Sequence, residues 1–135
     1  MKANPATTTR LLLTAAVLLL GGPGTATSHA VILYASNSDE SIGKFTSGGV
    51  GSVFASTALF TTPLGIAFDS AGNLYAATNN NTIERFTSGG VRSVFASLGV
   101  DQPIGLAFDN AGALYVTIRN GNDIYKWGLP RTRED

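Results

Sequence analysis

The sequence FTSGGVGSVFAS, residues 45–56, returns almost letter for letter as FTSGGVRSVFAS at residues 86–97. The two copies differ only where Gly51 is replaced by Arg92. A second repeated segment flanks them, because PLGIAFDSAGNLYAAT at residues 63–78 returns as PIGLAFDNAGALYVT at residues 103–117. Self-similarity with a period of about 40 residues is typical of a repeat architecture, in which each repeat is one supersecondary unit.

Each repeat has the pattern of four short strands. The segments GIAFD, LYAAT, TIERFT and VRSVFAS are rich in β-branched and aromatic residues and are bounded by Gly, Asn and Ser. Turns as tight as DSAG and TSGG connect only antiparallel neighbours, so each repeat is predicted to be a four-stranded antiparallel meander. Small and large apolar residues mix on both faces, which is typical of a sheet covered on both sides by other sheets. Such stacked sheets are the blades of an all-β propeller, and a β-sandwich is the alternative.

The number of strands predicts an open arc. Three strands are expected in residues 31–56, four in residues 65–97 and three in residues 105–127, which makes about two and a half blades. A six-bladed ring would need about 240 residues at this period. An incomplete ring exposes apolar flanks at both ends, and such patches usually associate. We therefore expect either a homo-oligomer that closes the ring, most simply a dimer, or poor folding of the chain alone.

Residues 1–30 have the three regions of a secretory signal peptide. Lys2 and Arg10 precede the apolar run LLLTAAVLLL, residues 11–20, and small residues lead to Ala30. Ten apolar residues are too few to cross a bilayer, which needs about 20. We expect cleavage after Ala30 and export to the periplasm or the extracellular space, with no membrane span left after cleavage. The propeller repeats would then occupy residues 31–128, followed by a charged tail at residues 129–135.

The composition of the chain beyond residue 30 excludes several functions. It keeps all nine acidic residues but loses Lys2 and Arg10 from the nine basic ones, so its formal charge is −2. A weakly acidic chain with scattered cations argues against a nucleic-acid partner. The sequence has no cysteine, and its one histidine, His29, leaves with the signal peptide. We therefore expect no catalytic residue, no metal and no cofactor.

The repeated segments resemble a known family of propellers. The pattern P-x-G-[IL]-A-F-D-x-A-G-x-L-Y, followed by I-x-[KR]-[FW], resembles the NHL repeat and the six-bladed propellers grouped with streptogramin lyase and the gluconolactonase-like enzymes. The version that contains FTSGGVGSVFAS is most similar to exported bacterial propellers that often carry a PEP-CTERM sorting tail. The resemblance covers nearly all of residues 31–128 and implies the propeller fold. This sequence departs from it in ending at RTRED without a sorting tail and in having too few repeats for a full ring.

The resemblance leaves three functions open. A lyase-like enzyme would need a histidine acting with metal-held groups, and a lactonase-like enzyme would need acidic and amide metal ligands from several blades. Residues 31–135 have no histidine and fewer than three complete blades, so the sequence favours a non-catalytic module that binds an unknown ligand or protein partner. The third alternative is a truncated, non-functional copy of a longer propeller.

The loops of the predicted meander locate the candidate binding site. Alternate loops lie at opposite ends of a sheet, so DSAGN and TSGG share one end, where Asp69 and Asp109 are expected to close tight turns. The loops at the other end differ between the repeats, and variable loops are where binding groups accumulate. The candidate ligand-binding residues there are Asn37, Asp39, Asn79, Asp101, Gln102, Arg119 and Asn120. The recurring aromatic residues are expected to pack between blades.

Overall fold

The computed structural model describes residues 15–19, 31–59, 61–127 and 132–134, and the side chains of residues 32–59 and 61–127. These ranges contain only β-strands as regular structure: β1 (Ala15–Leu19), β2 (Val31–Ser36), β3 (Ser41–Phe45), β4 (Gly51–Ser56), β5 (Pro63–Phe68), β6 (Leu74–Thr78), β7 (Thr82–Phe86), β8 (Arg92–Ser97), β9 (Pro103–Phe108), β10 (Leu114–Ile118), β11 (Ile124–Trp127) and β12 (Thr132–Glu134). Among these residues there is accordingly no membrane-spanning helix.

The strands form three four-stranded sheets in chain order. The first sheet is β1–β4, the second is β5–β8 and the third is β9–β12, and every neighbouring pair is antiparallel. The predicted antiparallel meanders are therefore confirmed. The first two sheets share even a local irregularity, a register shift after Ile42 and again after Ile83.

Two strands go beyond the ten that the sequence predicts. β1 pairs with β2, where the first sheet was expected to lack a strand, and β12 pairs with β11 in the third sheet. The segment Ala15–Leu19 lies inside the apolar run of the predicted signal peptide, and an apolar run alone does not distinguish a signal from a buried strand. Cleavage after Ala30, which lies outside the described residues, would remove β1 and leave the first sheet with three strands.

The hydrophobic core lies between the sheets. One cluster joins the first and second sheets and consists of Tyr34, Ile42, Ala55, Ile66, Leu74, Ala76 and Phe86. The other joins the second and third sheets and is built on Tyr75, Ile83, Leu98, Leu114 and Val116, with Trp127 packed against it. The second sheet is therefore covered on two sides, which explains why apolar residues occur on both of its faces.

The second and third sheets approach most closely where β5 packs against β9. A Cβ atom added at Gly65 would lie 2.1 Å from the carbonyl oxygen of Ile104. No side chain fits at that distance, so glycine is required where the two strands meet. This contact fixes the spacing of the two sheets and the positions of the loops that leave them.

Candidate functional site

The loops that vary between repeats all lie at one end of the sheets, called the loop face here. They are the connections β2–β3, β4–β5, β6–β7, β8–β9 and β10–β11. The short turns β3–β4, β5–β6, β7–β8 and β9–β10 lie at the opposite end, the turn face. The arrangement follows from antiparallel pairing and was predicted from the alternation of loops.

On the turn face, Asp69 and Asp109 close tight turns, as predicted. Oδ1 of Asp69 accepts hydrogen bonds from the backbone N–H groups of Ala71 at 3.0 Å and Asn73 at 2.8 Å. Gly72 has the left-handed φ of 81° that the turn requires. Asp109 accepts the equivalent hydrogen bonds at 2.9 and 2.8 Å. Both carboxylates therefore organise backbone.

The ionisation of these two aspartates fits that role. Partial burial works to raise the pKa of Asp69, but hydrogen bonds from Asn73, from the turn backbone and from Tyr75 outweigh it and lower the pKa overall. The pKa of Asp109 is lowered chiefly by the backbone N–H of Ala113. Each carboxylate is thus held as an anion at neutral pH, which suits a hydrogen-bond acceptor and not a proton donor.

The loop face of the third sheet carries a cleft of about 170 Å³. It is lined by residues from the β8–β9 connection and from the end of β10 with its following loop, namely Val100, Asp101, Gln102, Ile118, Asn120, Gly121 and Asp123. Three of the predicted ligand-binding residues, Asp101, Gln102 and Asn120, therefore line one opening. Its chemistry combines carboxylates, primary amides and aliphatic surface.

The Asp101 carboxylate is fixed in position at the edge of the cleft. The hydroxyl of Tyr125 on β11 donates a hydrogen bond of 2.7 Å to its Oδ2. Its backbone N–H donates to the carbonyl of Leu98 at 3.4 Å, so the loop is also held from behind. A carboxylate oriented by its neighbours has lost part of its conformational freedom before a ligand arrives, which favours binding.

A chain of hydrogen bonds ties the cleft to the second sheet. The Arg119 guanidinium donates to Oε1 of Gln102 at 2.9 Å, and Nε2 of Gln102 donates to the backbone carbonyl of Asn79 at 3.1 Å. Oδ1 of Asn79 in turn accepts from the backbone N–H of Thr62 at 2.9 Å. The structure thus brings together three predicted residues, and it uses Asn79 and Arg119 to join loops outside the cleft lining.

The remaining predicted residues, Asn37 and Asp39, form a separate loop in the first sheet. Nδ2 of Asn37 donates to Oγ of Ser41 at 2.9 Å. Oδ1 of Asp39 accepts from the Ser41 hydroxyl at 2.6 Å and from its backbone N–H at 3.2 Å. Both side chains stabilise the turn between β2 and β3, and neither lines the cleft of the third sheet.

Four residues of the cleft lining were not among those predicted from the sequence: Val100, Ile118, Gly121 and Asp123. Asp123 contributes a second carboxylate. The signal that identifies it is loop length, because the β10–β11 loop spans residues 119–123, whereas the equivalent β6–β7 loop spans residues 79–81. The longer loop supplies Asn120, Gly121 and Asp123 to the lining.

The cleft offers no ready metal centre. In the part of the chain that the structure describes, no three His, Cys, Asp or Glu residues are grouped so that they could hold a metal ion. Asp101 and Asp123 accept hydrogen bonds, and the amides of Gln102 and Asn120 both donate and accept them. The lining is chemically suited to hydroxyl and ammonium groups.

Comparison with known proteins identifies the fold class. No protein-family model matches the sequence, and no curated protein matches it. Solved structures do match. Virginiamycin B lyase from Staphylococcus aureus aligns over 90% of this chain and 44% of its own, with a TM-score of 0.60 and 16% identity. A catalytically inactive His-to-Ala variant of that lyase, solved with quinupristin, gives the same values.

A further match is a streptogramin B lyase, which aligns over 96% of this chain and 41% of its own with a TM-score of 0.65 and 15% identity. These lyases are β-propellers, so the three meanders are propeller blades and the predicted fold class is confirmed. The chain spans less than half the length of the lyases it matches. At this level of identity the likeness concerns the fold alone.

Proposed function

We propose that this chain is an exported, non-catalytic β-propeller module that binds a small polar ligand in the cleft of the third sheet. The observation that supports it is the lining: carboxylates and amides from two loops surround one opening, and Tyr125 fixes one of the carboxylates. Binding loops positioned by a rigid sheet are a common arrangement for recognition. We assign Asp101, Gln102, Asn120 and Asp123 the role of ligand contacts, with Asn79 and Arg119 as loop supports.

The size and polarity of the cleft define the ligand class. Its volume of about 170 Å³ is below the roughly 300–1,000 Å³ of pockets that take drug-sized molecules. It therefore accepts a small molecule or one end of a larger one. The paired acceptors and donors suit vicinal hydroxyl groups. Val100 and Ile118 offer apolar surface against which the C–H groups on one face of a ring can pack. A neutral saccharide has this combination of groups.

The binding proposal is tested by NMR titration of the purified chain with neutral mono- and disaccharides. Amide shifts should concentrate at residues 100–102 and 118–123. Asn120→Ala should weaken binding, whereas Asn110→Ala should leave it unchanged. Asn110 is a matched control, because it is also an exposed asparagine in a third-sheet loop but belongs to the turn face. Shifts that saturate without involving these segments, or no binding at all, would contradict the proposal.

The family and location proposals rest on the sequence pattern. The P-x-G-[IL]-A-F-D-x-A-G-x-L-Y motif supports placement with the NHL-type repeats and the exported PEP-CTERM-associated propellers, and the arrangement of residues 1–30 supports export. Mass spectrometry of the exported protein should find Val31 at the amino terminus. Recovery of a soluble cytoplasmic species that begins at Met1 would refute export.

A lyase-like enzyme is the second candidate, and the fold similarity to streptogramin and virginiamycin B lyases favours it. Lyase activity can be assayed directly by incubating the purified chain with quinupristin, the molecule solved with the inactive variant, and following its consumption by mass spectrometry. We expect no consumption. Turnover by the chain that begins at Val31, which lacks His29, would overturn the non-catalytic proposal.

A further inference from the structure

Each sheet presents two different flanks to its neighbours. The flank that faces the next sheet, here the leading flank, carries Tyr34 and Ile42 in the first sheet. The flank that faces the preceding sheet, the trailing flank, carries Leu74 and Phe86 in the second sheet. The same pairing recurs one repeat later, where Tyr75 and Ile83 of the second sheet meet Leu114 and Trp127 of the third. Both junctions are therefore one interface, formed twice.

A tyrosine between two phenylalanines marks each junction. The ring of Tyr34 packs edge to face on Phe54 of its own sheet at 5.1 Å and on Phe68 of the next sheet at 4.9 Å. Tyr75 repeats this geometry with Phe95 at 5.0 Å and Phe108 at 4.9 Å. Edge-to-face aromatic pairs add about 0.5–1.5 kcal/mol beyond the burial of their area.

The leading flank of the third sheet is the same surface without a following sheet in the described chain. It forms an apolar groove of about 320 Å³ lined by Gly105, Leu106, Ala107, Tyr115, Thr117 and Ile124. Tyr115 and Ile124 are the repeat equivalents of Tyr75 and Ile83. Ile83 has no exposed surface, whereas Ile124 is 45% exposed. Only a neighbouring sheet would bury Ile124 as Ile83 is buried.

The trailing flank of the first sheet is the complementary surface. Leu33 and Phe45 are the repeat equivalents of Leu74 and Phe86, yet both are only partly buried, whereas Leu74 and Phe86 have no exposed surface. The chain thus carries one copy of each half of the interface that it forms twice internally.

We infer that the leading flank of the third sheet binds the trailing flank of the first sheet in a second copy of this chain. Two copies joined head to tail form six sheets with both junctions repeated, a closed heterologous ring. The continuity of the groove with the two internal junctions supports this occupant.

The test is the mass of the purified chain by light scattering across a range of concentrations. The wild-type chain should be a dimer. Ile124→Asp should still fold, because residue 124 is exposed in the single chain, and it should be a monomer, because a dimer would bury the added carboxylate in its interface. Val91→Asp is the matched control, an exposed valine (68%) on the turn face and off both flanks, and it should remain dimeric.

A mixing experiment distinguishes this ring from a symmetric dimer. Phe45→Asp blocks the trailing flank and Ile124→Asp blocks the leading flank, so each variant alone should be monomeric. Mixed, they keep one intact junction and should form a heterodimer. A cooperatively melting wild-type monomer whose groove binds a hydrophobic dye would mean that something else, such as further sheets of a longer chain, covers the flank. That result, or an Ile124→Asp dimer, would overturn the proposal.

Discussion

The first and second sheets share twelve almost identical residues but bury them differently. In the second sheet, Arg92 forms an ion pair of 2.8 Å with Glu84, whose side chain is 1% exposed. The first sheet has Gly51 and Gly43 at the equivalent positions. The single difference between the repeated segments is therefore half of a two-residue exchange, in which a charged pair on one sheet replaces two glycines on the other.

The exchange changes how the neighbouring phenylalanine packs. Phe86 has no exposed surface and belongs to the core between the first two sheets. Phe45 is partly exposed, and a methyl group added at Gly51 would lie 2.7 Å from its ring. Its ring therefore lies over the space that a side chain at this position would take. The same sequence motif makes an interior junction in one sheet and an open flank in the other.

The largest expected effect comes from truncating the two phenylalanines. Phe86→Ala should lower the free energy of unfolding by about 3–5 kcal/mol, because it leaves a cavity in a closed core. Phe45→Ala should cost about 1–2 kcal/mol, because its side chain is already partly exposed to water. Urea denaturation in the monomeric Ile124→Asp background measures both. Equal losses would show that the two flanks are packed alike.

The ion pair gives the next largest effect. Arg92→Gly, which makes the second segment identical to the first, leaves the buried Glu84 carboxylate without its cation. We expect a loss of roughly 2–4 kcal/mol, less than for a fully buried pair because Arg92 is 39% exposed. Adding Glu84→Gln should restore part of it, since a neutral amide costs less to bury. If Arg92→Gly lowers the free energy of unfolding by only about 0.5 kcal/mol, as ordinary surface substitutions do, this expectation is contradicted.

Repeats, antiparallel meanders and turn chemistry could be predicted because they depend on local residue types. Asp69 and Gly72 specify their turn whatever surrounds it. The Glu84–Arg92 pair could not be predicted in this way, because it is set by cross-strand register: Arg92 pairs with Phe86, and Glu84 lies two residues along on the same face. β1 was missed for a different reason, since its apolar sequence suits both a signal and a strand.

The candidate site could be predicted only in the part that strand alternation determines. Chain topology places Asp101, Gln102 and Asn120 on the loop face, and that follows from strand alternation. Which loop residues line one cleft depends on loop length and on hydrogen bonds such as that from Tyr125 to Asp101. The separation of Asn37 and Asp39 from the cleft likewise follows from the stacking of sheets, which no single repeat encodes.

A smaller effect is expected when the first sheet is given the residues of the second. Gly51→Arg should destabilise by about 1–2 kcal/mol, because the Phe45 ring must move and position 43 offers no carboxylate. Adding Gly43→Glu supplies one, so the double variant should lose less than the sum of the single changes. A double-mutant cycle in urea measures the coupling. Strict additivity would mean that the two positions do not interact in the first sheet.

The smallest effect concerns acid and the turn face. The β3–β4 turn of the first sheet and the β7–β8 turn of the second have Thr46 and Thr87 as side-chain acceptors, and a threonine hydroxyl does not titrate in this range. Asp69 and Asp109 are the acceptors in the β5–β6 and β9–β10 turns. Both aspartates have a pKa below 3.8 in the folded state. The stability they contribute is therefore fully present above 3.8 and is lost as the pH falls through the folded value.

Amide exchange followed by NMR should resolve this difference within one molecule. On acidification through this range, and after correction for intrinsic exchange rates, protection should fall at Asn73 and Ala113, whose N–H groups bind the carboxylates, before it falls at Val50, whose N–H binds Thr46. Asp69→Asn should remove the pH dependence at Asn73, and Ser70→Ala in the same turn should preserve it. Simultaneous loss at Asn73 and Val50 would instead indicate that acid unfolds the sheets together, so that the aspartates stabilise the stack as a whole.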